Sequence, residues 1–408
     1  MHILISAYAC APDVGSEPGV GWNWITHLAR YCKITVITEA GFQEKILSSI
    51  PQYNLPYPPE FHFIEVTPEI RKQCWNQGDW RFYRHYRQWQ WRAYELAKKL
   101  MDTKPFDVAH QLNMIGYREP GYLWKLPVPF VWGPVGGHEQ MAWSFLSMLS
   151  WKEKSYYTLR NILNAIQMRT SLRVRKAASS AKALIAATPP NQKAFQQIHA
   201  KEAILINETG TFPCTTNNRI LHNSHRPLQL LWCGKFMSQK ALPIALHALS
   251  IAQKQVKAEL HIVGTGKNEI PWKNCAQQLG IEHLCHWHGQ LSHDESLKRM
   301  ASSDCLVFTS ILDATTTVVM EALSYGIPVI CHNSFGFGSV VDDSCGIKIP
   351  MIHPSASIQG FAQAIVALGS NPGLLEQLSQ GAWNRAKEFL WDDKAKKMYD
   401  IYKKLIAL

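Results

Sequence analysis

DCLVFTSILDATTTVVMEALSYGIPVICHN (304–333) reads as one strand–loop–helix–strand unit. DCLVFTS (304–310) is a short apolar run, and TTTVVMEALSYG has helical spacing and stops at Gly326. IPVICHN is a second apolar run. Two strands joined through a helix predict a parallel sheet with helices on its faces.

The same alternation runs upstream. LQLLWCG (228–234), AELHIVGTG (258–266) and HLCHWHG (283–289) read as strands, with ALPIALHALSIAQKQ and DESLKRMASS as helices between them. The first half repeats the scheme. HILISAY (2–8) is a strand running into a Gly/Pro-rich loop, WNWITHLARY a helix and KITVITEA a strand. DVAHQLN (107–113), VPFVWGPVGG (128–137) and KALIAAT (182–188) follow as strands. ETGTFPCTTNNRILHNSHRP, rich in Thr, Asn, His and Pro, interrupts the pattern as a linker. The expected organisation is α/β. Residues 1–205 form a Rossmann-like domain, 206–227 a linker, 228–375 a second domain of the same kind and 376–408 closing helices. Two such domains place a cleft at the carboxyl ends of their sheets, where open α/β sheets bind ligands.

Composition excludes several classes. The chain has 408 residues, 46% of them hydrophobic and 18% charged, which suits two globular domains rather than a disordered chain. Its ten cysteines show no C-x-x-C pair or metal spacing, as expected of reduced thiols in a cytosolic protein. MHILISAYAC lacks the basic segment of a secretory leader, and no run approaches the roughly 18 apolar residues of a spanning helix. The net charge of +11 is concentrated. Arg71, Lys72, Arg81, Arg84, Arg87, Arg92, Lys98 and Lys99 crowd one stretch, and Lys152, Lys154, Arg160, Arg169, Arg173, Arg175, Lys176 and Lys182 another, both interleaved with aromatic and aliphatic residues. Such stretches suit half-buried helices with solvated basic faces, or helices resting on an anionic membrane surface. No nucleic-acid-binding module accompanies the charge.

Asp313 follows strand 304–310 and Glu321 lies eight positions on. An acid before a helix is the residue type of a cap. A Glu among Val, Met, Ala and Leu needs a hydrogen-bonding partner, either ligand hydroxyls or a protein group. Thr315, Thr316 and Thr317 are expected to open the helix with hydroxyls and free N–H groups, a start suited to a diphosphate. Upstream, CGKFMSQKAL (233–242) carries Lys235 and Lys240 on either side of a loop. These are surface charges or the counter-charge of a leaving diphosphate. GTGK (264–267) is a glycine turn without a dinucleotide or Walker fingerprint, and no D-x-D pair offers a seat for a divalent metal.

With these features in place the chain resembles a family-4 glycosyltransferase of GT-B architecture (glycosyl transferases group 1), two Rossmann-like domains facing across a cleft with a last helix crossing back to the first domain. The likeness rests on G-K-x4-K at 234, HIVGTG, HGQLSHDESLKRMASSDCLVFTS, the acid-x7-acid element before EALSYGIPVI, EPGVGW (17–22) and DVAH (107–110). FVWGPVGGHE is similar to a polysaccharide-building branch. The resemblance implies retaining, metal-free transfer of a hexose from a nucleotide-sugar to an acceptor hydroxyl, with no cofactor, in cell-surface polysaccharide or glycolipid synthesis. It implies a cytoplasmic protein, peripheral at the inner membrane face, with a saccharide or lipid-linked acceptor as partner. It assigns Glu321 to the ribose hydroxyls, Asp313 to the donor sugar, Lys235 and Lys240 to the diphosphate, and Gly19, Gly21 and Gly264 to the donor loops. His110 goes to the cleft, although a strand-end His is also a packing residue. Gly136, Gly137 and His138 are lesser cleft candidates.

Two positions depart from the family pattern. Asp313 stands where Glu is usual, so its carboxyl is displaced by about 1.5 Å, one C–C bond. Lys235 replaces an Arg and loses bidentate phosphate geometry. These departures keep a second reading open, a catalytically silent sugar-nucleotide-binding subunit. A third, an NAD-dependent dehydrogenase, lacks the glycine fingerprint after the first strand.

Overall fold

The computed structural model describes residues 1–70, 80–213 and 226–407. Residues 214–225 of the expected linker, and Arg71 and Lys72 of the first basic stretch, lie outside the described residues. The chain divides into two compact units. The first holds Met1–His138, Leu163–Thr209 and Trp391–Leu408, and the second holds Glu139–Ile162 and Gly210–Leu390.

Among the described residues the first unit has a seven-stranded sheet in the order β3-β2-β1-β4-β5-β6-β7. Its strands are β1 (His2–Ala7), β2 (Lys33–Glu39), β3 (Glu60–Ile64), β4 (Val108–Asn113), β5 (Phe130–Val135), β6 (Ala181–Ala186) and β7 (Ile204–Leu205), all parallel. Strand period two divides the core. Ile3, Ile5, Val108, Val131 and Ile185 point to helices Glu17–Leu28 and Trp391–Ile406. Leu4, Ala109, Phe130, Trp132 and Leu184 point to Phe82, Tyr86 and Trp89 of helix Trp80–Met101. Burial on both faces is why the central strands read as unbroken apolar runs.

The second unit has a six-stranded parallel sheet, β10-β9-β8-β11-β12-β13. Its strands are β8 (Leu228–Cys233), β9 (Ala258–Val263), β10 (Cys285–Gly289), β11 (Cys305–Phe308), β12 (Val329–His332) and β13 (Gly346–Ile349). Leu230, Trp232, Leu260, Ile262 and Val307 form one core with helices Leu242–Ala252 and Pro354–Ser370. Leu231, Val263, Leu306 and Phe308 form the other with helix Thr317–Ser324.

The structure differs from the sequence reading in four places. Residues Glu139–Ile162, given whole to the first domain, belong to the second unit. There the Asn161 carboxamide donates to Met141 O and accepts from Met141 N at 2.8 and 3.2 Å. Of the closing helices only Trp391–Ile406 joins the first unit, where Arg30 clamps Asp392 through one nitrogen at 2.7 and 2.8 Å. Helix Pro372–Lys387 stays in the second unit, with Ser379 Oγ donating to Gly326 O at 2.7 Å.

EPGVGW is a helix start, not a loop: helix Glu17–Leu28 takes Pro18 into its first turn. A Cβ on Gly19 would lie 2.3 Å from Val14 O, and one on Gly21 2.3 Å from Ala9 O. Both glycines let the helix press on the loop after β1. Last, helix Thr317–Ser324 starts two residues later than the TTT run predicts. Thr316 caps it at φ 70°, and Thr315 is fully buried before it.

Candidate active site

The strand order of the second unit reverses between β8 and β11: β9 and β10 continue outward from β8, and β12 and β13 from β11. The loops leaving these two strands diverge there, and α/β sheets place ligands at that crevice. The loops are stitched together below it. Ile311 N donates to Gln239 O at 2.8 Å, Thr309 Oγ1 to Lys240 O at 2.9 Å and Ser310 Oγ to Gln239 O at 3.2 Å.

On this base Lys240 and Asp313 meet as an ion pair, each side chain 21% exposed. Asp313 Oδ2 also lies 3.2 Å from Ser310 Oγ, and Oδ1 accepts from Ala314 N at 3.2 Å. Lys240 Nζ lies 5.6 Å from the centroid of the Phe308 ring. The structure therefore makes one unit of two residues that the family pattern assigns separately. The Lys235 side chain is exposed and makes no hydrogen bond or ion pair with any described residue.

Two features mark the helix start beside the pair as a place for an anion. Thr316 Oγ1 is buried without a hydrogen-bond partner, and Thr317 is exposed in the first turn. Thr315 is corrected here: its full burial keeps its hydroxyl from a ligand. Glu321, further along the helix, keeps 29% of its side-chain surface exposed. Its carboxylate has no hydrogen bond among the described residues, and the His293 Nε2 atom stands 3.9 Å away. Burial raises its pKa, with partial opposition from His293.

Gly264 fixes the third loop. It has φ +130°, and a Cβ there would lie 1.9 Å from Gly234 O. Only glycine lets the turn after β9 lie on the turn after β8, where Phe236 N donates to Thr265 O at 2.9 Å. Its role is close packing under the site. Gly264→Ala is expected to cost about 2–3 kcal/mol of stability from backbone strain alone. Denaturant titration measures this, and a loss below about 0.5 kcal/mol contradicts the packing role.

The first unit holds the other expected residues. His110 does not reach a ligand: it is fully buried in β4, Nδ1 lying 2.5 Å from Tyr402 Oη and Nε2 2.6 Å from Gly133 O. Burial pushes its pKa down to about 4, so it is a neutral packing histidine. Gly19 and Gly21 pack as described above. Gly137 takes φ +88° beside Gly116, with Gly136 preceding it, and His138 N donates to Asn191 Oδ1 at 3.1 Å.

Glu17 was not singled out from the sequence. Its Oε1 accepts from Ile115 N at 3.1 Å, its Oε2 is buried without a partner, and burial pushes its pKa up to about 7. A Glu before Pro in a helix's first turn ordinarily reads as a dipole residue, so no pattern in the sequence separates it.

Comparison with known proteins bears on the second unit most directly. Residues 215–385 match the family model "Glycosyl transferases group 1". A D-inositol 3-phosphate glycosyltransferase of Streptomyces bingchenggensis is 28% identical over 184 residues, covering 42% of this chain and 39% of the relative. The chain thus matches well under half the length of this curated relative. Sucrose-phosphate synthase from Thermosynechococcus elongatus aligns over 100% of this chain and 99% of its own, with TM-score 0.65 and 15% identity. The Anabaena protein HepE, solved with UDP and glucose, aligns over 99% of this chain and 100% of its own, with TM-score 0.63 and 16% identity. Residues 215–385 therefore constitute a glycosyl transferases group 1 domain, in a chain whose two parallel-sheet units have the GT-B glycosyltransferase fold.

Proposed function

We propose that this chain is a glycosyltransferase that moves a sugar from a nucleotide-sugar to an acceptor hydroxyl, with retention and without a metal. One observation carries the reading. At the reversal point of the second sheet, an ammonium from the loop after β8 meets the loop after β11, whose following helix brings an anion-ready start and an under-solvated carboxylate. Lys240 and Lys235 supply positive charge for the departing diphosphate, and Thr316 with the first-turn N–H groups supplies donors. Fixed charge and dipoles aimed at the growing negative charge lower the barrier without reorganising during the reaction. Glu321 accepts hydrogen bonds from the ribose hydroxyls, which satisfy a carboxylate that the protein leaves unbonded. The acceptor hydroxyl attacks on the face the diphosphate leaves. The binding of UDP and glucose by HepE supports a nucleoside diphosphate at this place.

The acceptor is a saccharide or lipid-linked saccharide of a cell-surface polysaccharide or glycolipid, met at an anionic membrane surface. Helix Trp151–Thr170 supports this: Trp151 is 74% exposed, and Tyr156, Leu159 and Ile162 are exposed beside Lys152 and Lys154. No helix among the described residues is long and apolar enough to cross a membrane.

A panel of uridine, guanosine, adenosine and thymidine diphosphate sugars tests the reading. One donor should raise Tm by mass action and release its nucleotide slowly in water and faster with acceptor, unchanged by EDTA. Product NMR should show the donor's anomeric configuration. A folded sample that neither binds nor turns over any donor overturns the assignment.

A further inference from the structure

A second cluster of chemistry-bearing side chains lies at the other end of the same sheet. Gln229 and Glu259 are register partners on β8 and β9, and His261 pairs with His286 across β9 and β10. Period two brings Glu259 and His261, and likewise His286 and His288, to one sheet face. This is the face of Leu231, Val263 and Met300, where it runs out toward the edge strand β10. An apolar surface is here replaced by imidazoles and a carboxylate.

Their geometry is that of a ligand set. One ligand atom each from Glu259, His261 and His286 lies within 4.8 Å of the others. His286 Nε2 stands 3.3 Å from Glu259 Oε2. Two ligands of a tetrahedral ion, at metal–ligand distances of about 2.0–2.2 Å, are about 3.3–3.6 Å apart. His286 Nε2 is itself buried and makes no hydrogen bond. Both nitrogens of His261 are engaged, Nε2 2.7 Å from Gln229 Oε1 and Nδ1 3.0 Å from His288 Nε2, so a metal takes the place of one contact and the other steadies the ring. A metal-bound imidazole is usually steadied in this way through its other nitrogen. Glu259 and His286 are 31% and 42% exposed in their side chains, which leaves solvent access for the ion and for a water as fourth ligand. Arg299, whose Nε is buried and unpaired, acts on His261 and His288 as a nearby positive charge and opposes a dication, so Glu259 is the ligand that must offset it.

We propose that Glu259, His261 and His286 bind one divalent transition metal of the zinc class, with His288 and Gln229 as positioning residues. Two imidazoles and a carboxylate are an established donor set for zinc. The ligands lie within the first four residues of β9 and the first two of β10, whereas Lys240 and Asp313 follow the carboxyl ends of β8 and β11. The metal therefore fastens the edge strand and takes no part in sugar transfer. The ligands come from neighbouring strands, the register partners His261 and His286 lying 25 positions apart. Cysteine spacing and D-x-D searches are blind to that arrangement.

Untagged full-length protein, stripped with EDTA and desalted, is titrated with zinc chloride against a chromogenic chelator. One equivalent should bind with Kd below about 1 µM, and Glu259→Gln and His286→Asn should each weaken it at least 100-fold, His288→Asn about 10-fold. Cobalt(II) should give d–d bands without a thiolate charge-transfer band. On the unmutated protein, zinc should protect His286 from diethylpyrocarbonate, read by peptide mass. Substoichiometric binding, binding that survives the Glu259→Gln/His286→Asn double change, a thiolate band, or unprotected His286 each overturns the site and leaves a hydrogen-bonded polar ladder.

Discussion

Lys240→Met is expected to lower kcat by about 10³, close to 4 kcal/mol of transition-state stabilisation, while Tm changes little. The side chain is one-fifth exposed and its only carboxylate partner among the described residues is Asp313. When the ammonium is removed, Asp313 is still partly exposed and keeps its hydrogen bond from Ala314 N, which limits the cost to the fold. The same ammonium, beside a helix start and away from bulk water, contributes far more to a developing diphosphate charge. Methionine keeps the length and apolar stem and removes only the charge. Asp313→Asn supplies the opposing control. It releases Lys240 from its competitor, so nucleoside diphosphate should bind more tightly. Steady-state kinetics and calorimetry measure both. A Lys240→Met enzyme within threefold of the parent removes Lys240 from the chemistry, and equal diphosphate affinity in Asp313→Asn removes the competition.

The parts of this molecule that were legible in the sequence are those where one physical demand fixes many residues at once. Central parallel strands are buried on both faces, so β1, β8, β9 and β11 show as apolar runs. β3 (EFHFI) and β13 (GIKI) lie at sheet edges, where half-exposure dilutes the run, and neither stood out. EPGVGW reads as a loop because Gly and Pro break helices in isolation. The glycines are instead needed for two close backbone approaches. Within the site, the spacing of Asp313 and Glu321 along one loop and helix is a one-dimensional signal. The pairing of Asp313 with Lys240, 73 positions away, is not. His110 is the sharpest case. A histidine at a strand end looks catalytic until Tyr402, 292 positions on, closes over it. Long-range packing of this kind leaves no pattern near either residue.

Glu321→Ala is expected to weaken nucleotide-sugar binding by about 100-fold, and Glu321→Gln by about 10-fold. Hydrogen bonds to a charged acceptor contribute about 1.5–3 kcal/mol each, so losing a carboxylate that serves two hydroxyls reaches this range. The amide keeps one acceptor and therefore part of the affinity. The free protein should respond in the opposite direction. Burial raises the Glu321 pKa in the folded state. A group with a raised folded pKa gives stability that is complete below its unfolded pKa and lost as pH rises through the folded value. Above the unfolded pKa the buried carboxyl is thus a cost to the fold, and Glu321→Gln should have a Tm at or above that of the parent. Binding carries the same titration with reversed consequence. As pH falls through the raised pKa, the carboxylate becomes an acid, one acceptor is lost and affinity declines. In Glu321→Gln that decline should disappear. Calorimetric titrations across acidic to neutral pH separate the cases. A structural role would lower Tm in both variants and leave the pH profile of binding unchanged, whereas a ligand role weakens binding in a protein that is no less stable.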